Sequence, residues 1–261
     1  MIREAASKYL EPEPGFRYRG KEPGRLENFS DAVFGMAITL LLISTSPPAN
    51  FDELKRFTYE LFPFLACITL IVLIWHEHYI FFQRYGLRNG KMITLNTLFL
   101  VIILFYVYPL KFLTQVILVG PLAYITGNEI LVNEIKNMIH ARDIGELMII
   151  YGIGATSVFL VLALMYRYAL QQAEVLGLNE VERFDTRMSL IANLLMALVP
   201  FISLVVAFFL RHSFWAGPIA GFTYFLYTPI MFGFHRRVEK RRNLLLQSQE
   251  QTPGGSGGVG G

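Results

Sequence analysis

Arg25 to Ser46 reads RLENFSDAVFGMAITLLLISTS, an apolar helix that opens on Arg25, Phe29, Ser30 and Asp31 and then runs almost without a polar side chain. An ionised Asp near bilayer depth costs about 3 kcal/mol on insertion scales, so a chain that places one there gives it a partner or a task. At about 100° per residue, Met36, Leu40 and Ile43 share one face of this helix, Thr39 lies about 60° to its side, and Asp31 points about 140° away. The spacing leaves two readings open. In one, the apolar stripe faces a narrow central axis while Ser30 and Asp31 turn sideways into neighbouring helices that hold it. In the other, Met36, Leu40 and Ile43 are packing residues and Ser30 or Asp31 caps the helix, as those residue types favour.

Outside this helix the chain has the same character. Hydrophobic residues make up 54% of its 261 positions and charged residues 16%, with a mean hydropathy of +0.44. These values exclude an ordinary soluble domain and point to an integral membrane protein. The single Cys67 lies in an apolar segment and cannot form an intramolecular disulfide, so it reads as an inert packing residue. Met1 to Gly24 has no apolar core of a leader peptide, so the first hydrophobic helix is expected to direct insertion itself. The terminal TPGGSGGVGG has the composition of a flexible tail.

About 20 apolar residues cross a bilayer core, and six segments meet that need, near 30–47, 58–82, 92–113, 145–170, 188–210 and 215–234. The first is the shortest and most polar, with Thr39, Ser44 and Thr45, and suits the interior of an assembly. The N-terminal tail, the 83–91 loop, the 171–187 loop and the C-terminal tail carry six, three, two and five Lys or Arg, against two, two and one in the alternate loops. Positive residues stay cytoplasmic, so both termini are expected inside. The HRRVEKRR run, His235 to Arg242, directly follows an apolar segment. It therefore reads as a topological anchor that gains from anionic headgroups, and not as a nucleic-acid site.

Between the third and fourth segments, ILVNEIKNMI is apolar at Ile130, Leu131, Ile135, Met138 and Ile139, the spacing of a short amphipathic helix at the outer surface. Gly120-Pro121 and Gly127 are expected to break the chain upstream of it. No phosphate-binding glycine loop, zinc-ligand spacing or nucleophile elbow occurs, so no catalytic residues are expected and the chain does not read as an enzyme. His76 and His78 are two residues apart, about 200° around a helix, and cannot grip one metal as an i, i+4 pair would. The end of the second segment, Trp75, His76, Glu77, His78 and Tyr79, sits at the cytoplasmic level of Arg25, Ser30 and Asp31. Asn96 enters the third segment from the same side. Asp31, a His and Asn96 are thus expected at one depth, where each can satisfy the others' hydrogen bonds.

Arg25, Phe29-Ser30-Asp31 and Ala37-Ile38-Thr39-Leu40-Leu41 resemble the RxxxFSD signature that opens the transmembrane protein 175 family of potassium channels. Trp75, His78, Asn96 and Tyr108-Pro109 extend the resemblance over residues 25–112. It implies an all-α membrane protein with six helices per chain, in which four copies of the first helix line the pore in place of a TVGYG filter. Carried over, Met36, Thr39, Leu40 and Ile43 would be pore-lining, and Arg25, Phe29, Ser30, Asp31, Trp75, His78 and Asn96 would form a supporting network. Met36 stands where the family carries Ile or Leu at its narrowest point, and Thr39 matches a Thr associated with ion discrimination.

The resemblance implies a homotetrameric, potassium-selective, leak-type channel of the prokaryotic plasma membrane. It would have no cofactor, K+ as the permeant ion, and residues 1–24, 25–242 and 243–261 as cytoplasmic segment, channel domain and tail. The alternative is a proton-coupled secondary transporter with Asp31 and His78 as relay. That fold expects inverted repeats and broken helices near the midplane, and neither is visible in the sequence.

Overall fold

The structure is a computed structural model that describes residues 15–20, 22–43, 48–127, 129–140, 143–211, 213 and 215–251. Ser44, Thr45, Arg142, most of the 1–24 segment and the Gly/Ser tail lie outside the described residues. All described secondary structure is helical: α1 (Arg25–Ile43), α2 (Phe51–Tyr85), α3 (Gly90–Thr114), α4 (Gly120–Thr126), α5 (Glu129–Met138), α6 (Ile144–Gln171), α7 (Glu180–Phe209), α8 (Ala216–Phe222) and α9 (Tyr227–Gln251). Five stretches are long and apolar enough to cross a membrane: Arg25–Ile43, Glu53–Tyr85, Gly90–Ile125, Ile144–Gln171 and Glu180–Phe209. The chain is a multi-pass membrane protein by these helices.

Caps written in the sequence set the helix starts and stops. Asn50 and Asn89 accept from the backbone N–H groups of Glu53 and Met92, and Asn179 with Glu182 forms a reciprocal capping box at the start of α7, satisfying donors a helix start leaves open. Gly86, in the left-handed region, closes α2 with its N–H on the Phe82 carbonyl. The second and fifth helices run beyond their expected apolar segments because these caps lie in the polar flanks, several residues outside the bilayer-length core.

Two expectations are corrected. Gly120-Pro121 does not break the chain: a π turn at Gln115–Val119 joins α3 to α4, the wider turn accommodating a proline that has no N–H to donate. The sixth segment, 215–234, is not one helix but α8, a 3-10 turn at Thr223–Leu226, and α9. Pro229 in the first turn of α9 cannot donate to the Phe225 carbonyl, and the tighter turn falls at that point. The amphipathic segment forms α5, whose Val132 and Ile135 pack on Val119 and Ala123.

The main core gathers Phe34, Ala37 and Leu41 of α1, Ile71, Phe81 and Tyr85 of α2, Phe99 and Ile103 of α3, and Leu162 and Tyr166 of α6. Helices α6 and α7 pack along their length. They approach closely at Gly152, where a Cβ would stand 2.8 Å from the Leu204 side chain and 3.0 Å from the Pro200 carbonyl. Among the described residues α1 packs on the helices α2 and α3 alone, and they leave one long side of α1 uncovered.

Candidate functional site

α1 divides into two faces. Ser30, Val33, Phe34, Ala37 and Leu41 are buried against the protomer, following the i, i+3, i+4, i+7 spacing of a helix stripe. On the other side Phe29, Ala32, Gly35, Met36, Thr39 and Ile43 are exposed, Met36 at 61% and Ile43 at 70%. Leu40 is half-buried, so the uncovered face is centred nearer Thr39 than the Met36, Leu40 and Ile43 stripe expected from spacing. The Thr39 hydroxyl donates to the Gly35 carbonyl at 2.9 Å, which leaves its oxygen lone pairs turned to the open side. Leu42 is also half-exposed, at the far edge of this face.

The polar residues that surround the N-terminal half of α1 fall into two groups and do not form one layer. The first is buried. His78 Nε2 donates to Asn96 Oδ1 at 2.6 Å, Asn96 Nδ2 donates to Ser30 Oγ at 2.9 Å, and Ser30 Oγ donates to the Leu26 carbonyl at 2.8 Å. The direction is forced from one end. Ser30 spends its proton on a carbonyl, so Asn96 must turn its amide nitrogen to Ser30 and its oxygen to His78. Ser30 Oγ, both polar atoms of the Asn96 amide and His78 Nε2 each have a partner, which lowers the cost of placing Ser30, Asn96 and His78 inside the protein. The His78 ring stacks on Phe99 at 5.2 Å with an interplanar angle of 4° and meets Phe34 at 5.7 Å. Three helices are thereby tied at one point.

The second group is exposed. Trp75 Nε1 donates to Asp31 Oδ1 at 2.8 Å, and Trp75 stacks on Tyr79 at 5.4 Å. Asp31 does not join Asn96 as expected: it lies on the open side of α1, while Ser30, one residue earlier, is the side chain that enters the core. Arg25 and Phe29 are exposed, and Arg25 makes no hydrogen bond or ion pair among the described residues. Near Asp31 a cavity of about 160 Å³ is lined by Glu27, Asp31, His78 and Tyr79. Among the described residues no three His, Cys, Asp or Glu side chains converge to hold a metal ion, and His76 is exposed while His78 is buried.

Two contacts escaped the reading of the sequence. Lys111, buried on α3, donates through Nζ to the Leu41 carbonyl at 3.1 Å, placing a cation at the C-terminal end of α1, where the helix dipole favours it. A lone Lys inside an otherwise apolar segment was its signal. The other is the bidentate pair of Arg19 with Glu182, at 2.9 and 2.8 Å. Glu182 stands three residues after Asn179, as a capping box requires, but its second partner lies 163 positions away and no local pattern announces it.

The geometry has counterparts among known proteins. Residues 25–106 match the family described as the endosomal/lysosomal potassium channel TMEM175. A protein of Marivirga tractuosa described as a potassium channel is 43% identical over 237 residues, which cover 90% of this chain and 95% of that one. The crystal structure of the potassium channel MtTMEM175, a threonine-to-alanine variant in complex with a nanobody–MBP fusion protein, matches with a TM-score of 0.75 at 41% identity, over 88% of this chain and 99% of that one. With a relative this similar over nearly its whole length, and with the FSD opening of α1 inside the matched region, this chain belongs to the TMEM175 family.

Proposed function

We propose that this protein is a potassium channel in which four copies of α1 enclose the ion path. The observation that supports this reading most directly is the uncovered face of α1, a helix of membrane-spanning length whose Ala32, Gly35, Met36, Thr39 and Ile43 are exposed among the described residues. Lipid covers an apolar strip as readily as protein does; what sets this one apart is the Thr39 hydroxyl in its middle and the small Ala32 and Gly35, which permit close approach of a second backbone. Met36 and Ile43 then form apolar rings that an ion crosses with little ligation, and Thr39 between them offers hydroxyl oxygens. Discrimination between potassium and sodium arises where the ion must shed water in this constriction. The buried Ser30, Asn96 and His78 chain and the Asp31–Trp75 bond hold the inner half of α1 in register, while Lys111 holds its outer end.

On this reading both termini are cytoplasmic, the basic run after α9 rests against anionic headgroups of the cell membrane, and no cofactor takes part. The test is ion flux in liposomes and single-channel recording on reconstituted protein. Met36→Asn hydrates the narrow ring, and is expected to raise unitary conductance and reduce the preference for potassium over sodium. Leu42→Ala, on the other flank of the open face, shortens an apolar side chain without hydrating the Met36 ring, and is expected to change both less than Met36→Asn does. Unaltered conductance in Met36→Asn, or a larger change in Leu42→Ala, would take Met36 off the ion path. Saturating, proton-coupled flux would replace the channel with the transporter.

A further inference from the structure

The segment before α1 is built into the protein as a strap. Phe16 is buried against Tyr85, 5.9 Å between ring centroids, and packs beside Tyr18. Arg19 N and Gly20 N donate to the Arg84 and Gln83 carbonyls at 3.4 and 3.0 Å, so the strap satisfies carbonyls that the end of α2 leaves open. It runs so close to that helix end that a Cβ on Gly20 would stand 2.2 Å from the Phe82 carbonyl oxygen. The Arg19 guanidinium donates to both Glu182 oxygens and, through Nε and Nη2, to the carbonyls of Leu176 and Gly177 in the turn between α6 and α7. Glu182 is 1% exposed and also accepts from Arg17 N at 2.8 Å. A planar, bidentate pair of this kind fixes direction as well as distance.

Six positions after Arg19, α1 begins. Its first turn is held separately, with Glu27 accepting from Gly24 N at 2.8 Å and from Arg88 Nε at 3.1 Å. A stretch of six residues reaches at most about 20 Å, so the Arg19 anchorage limits how far the start of α1 can travel. Among the described residues the backbones of α6 and α7 do not come close to that of α1.

We propose that the Arg19–Glu182 pair is a latch that positions the inner end of α1, transmitting the placement of the α6–α7 turn to the ion path. This rests on the α1 pore reading. The strap ties the start of α1 to the ends of α2 and α7, and α2 belongs to the body on which α1 packs. Releasing the latch lets the inner end lean toward the open face, which narrows the inner entrance and lowers the fraction of time the channel conducts. Arg19 and Glu182 are positioning residues, remote from the permeating ion, so they set gating and leave selectivity alone.

The experiment is single-channel recording of full-length reconstituted protein. Arg19→Gln alone strands a buried carboxylate and can prevent assembly. The double variant Arg19→Gln with Glu182→Gln removes both charges, strands neither, and keeps an amide oxygen for the Asn179 cap. Coupling through such contacts changes an equilibrium by about threefold or more, so the double variant is expected to lower open probability by at least that factor. Unitary conductance and reversal potential in mixed potassium and sodium should stay at the wild-type values. Arg19→Lys, which keeps the charge, should recover much of the open probability. An unchanged open probability in the double variant, or a shifted reversal potential, overturns the latch. Met36→Asn recorded alongside separates the two failures: altered conductance there with unaltered gating in the double variant removes the latch alone. Unaltered conductance in Met36→Asn removes the pore reading and the latch with it.

Discussion

Replacing Asn96 with Leu tests whether the buried hydrogen-bond chain holds α1 or merely accompanies it. Leu branches where Asn does but is bulkier, so no cavity opens, and overpacking strain at this fully buried position adds to the hydrogen-bond loss. The substitution leaves His78 Nε2–H, on a ring only 2% exposed, without its acceptor at 2.6 Å, and an orphaned buried donor costs about 1–3 kcal/mol. Ser30 loses one incoming bond but still donates to the Leu26 carbonyl, a further loss of about 0.5–1.5 kcal/mol. The sum is about 2–4 kcal/mol, which for a chain of this size lowers the melting temperature by roughly 5–15 °C. An average intramembrane hydrogen bond, about 0.6 kcal/mol, would move it by only about 2 °C. Melting of the purified protein in detergent separates these cases. Adding His78→Phe to Asn96→Leu is the sharper arm. A phenyl ring keeps the stack on Phe99 and removes the orphaned N–H, so the double variant should melt above the single one. If Asn96→Leu melts within about 2 °C of wild type, at the level of an ordinary hydrogen bond, or if His78→Phe lowers it further, the argument for a forced, fully satisfied chain is refuted.

Two other substitutions probe the ends of α1. Asp31→Ala should cost about 1 kcal/mol, the worth of a single hydrogen bond to a half-exposed Trp75, and melting should show a loss less than half that of Asn96→Leu; an equal loss would place Asp31 in the buried chain after all. Lys111→Met keeps the aliphatic stem but releases the Leu41 carbonyl, with an expected cost of about 1–2 kcal/mol. Hydrogen exchange should show the loss as faster exchange confined to the last turns of α1 if the contact acts as a cap.

Much of this protein was legible because the membrane imposes rules that act along the chain. A helix in lipid satisfies its own backbone, so apolar length alone placed six segments, five of which are helices long and apolar enough to cross; the Asn50, Asn89 and Asn179 caps that fix helix starts lie in polar flanks that apolar length does not reach. The RxxxFSD opening of α1 pointed to the family for the same reason: its residues share one short helix. Where a proline altered a turn, at Pro121 and Pro229, the outcome depended on whether neighbouring backbone could widen or tighten, and local sequence did not say which.

The division of polar residues between interior and open face was decided by packing. Ser30 and Asp31 are neighbours in sequence, both polar, and helix phase separates them by about 100°, but the sequence does not say which of them meets another helix. Only the docking of α1 on α2 and α3 sends Ser30 to Asn96 and leaves Asp31 to Trp75. The Arg19–Glu182 pair is the extreme case, because 163 positions separate its partners and each side chain alone reads as an ordinary surface charge or a helix cap. Sequence by itself determined the helices, their caps and the apolar character of α1, since those follow from contacts within a few residues. Tertiary structure decided which face of α1 is bare and what holds its two ends, since those depend on groups that meet only when distant segments are brought together.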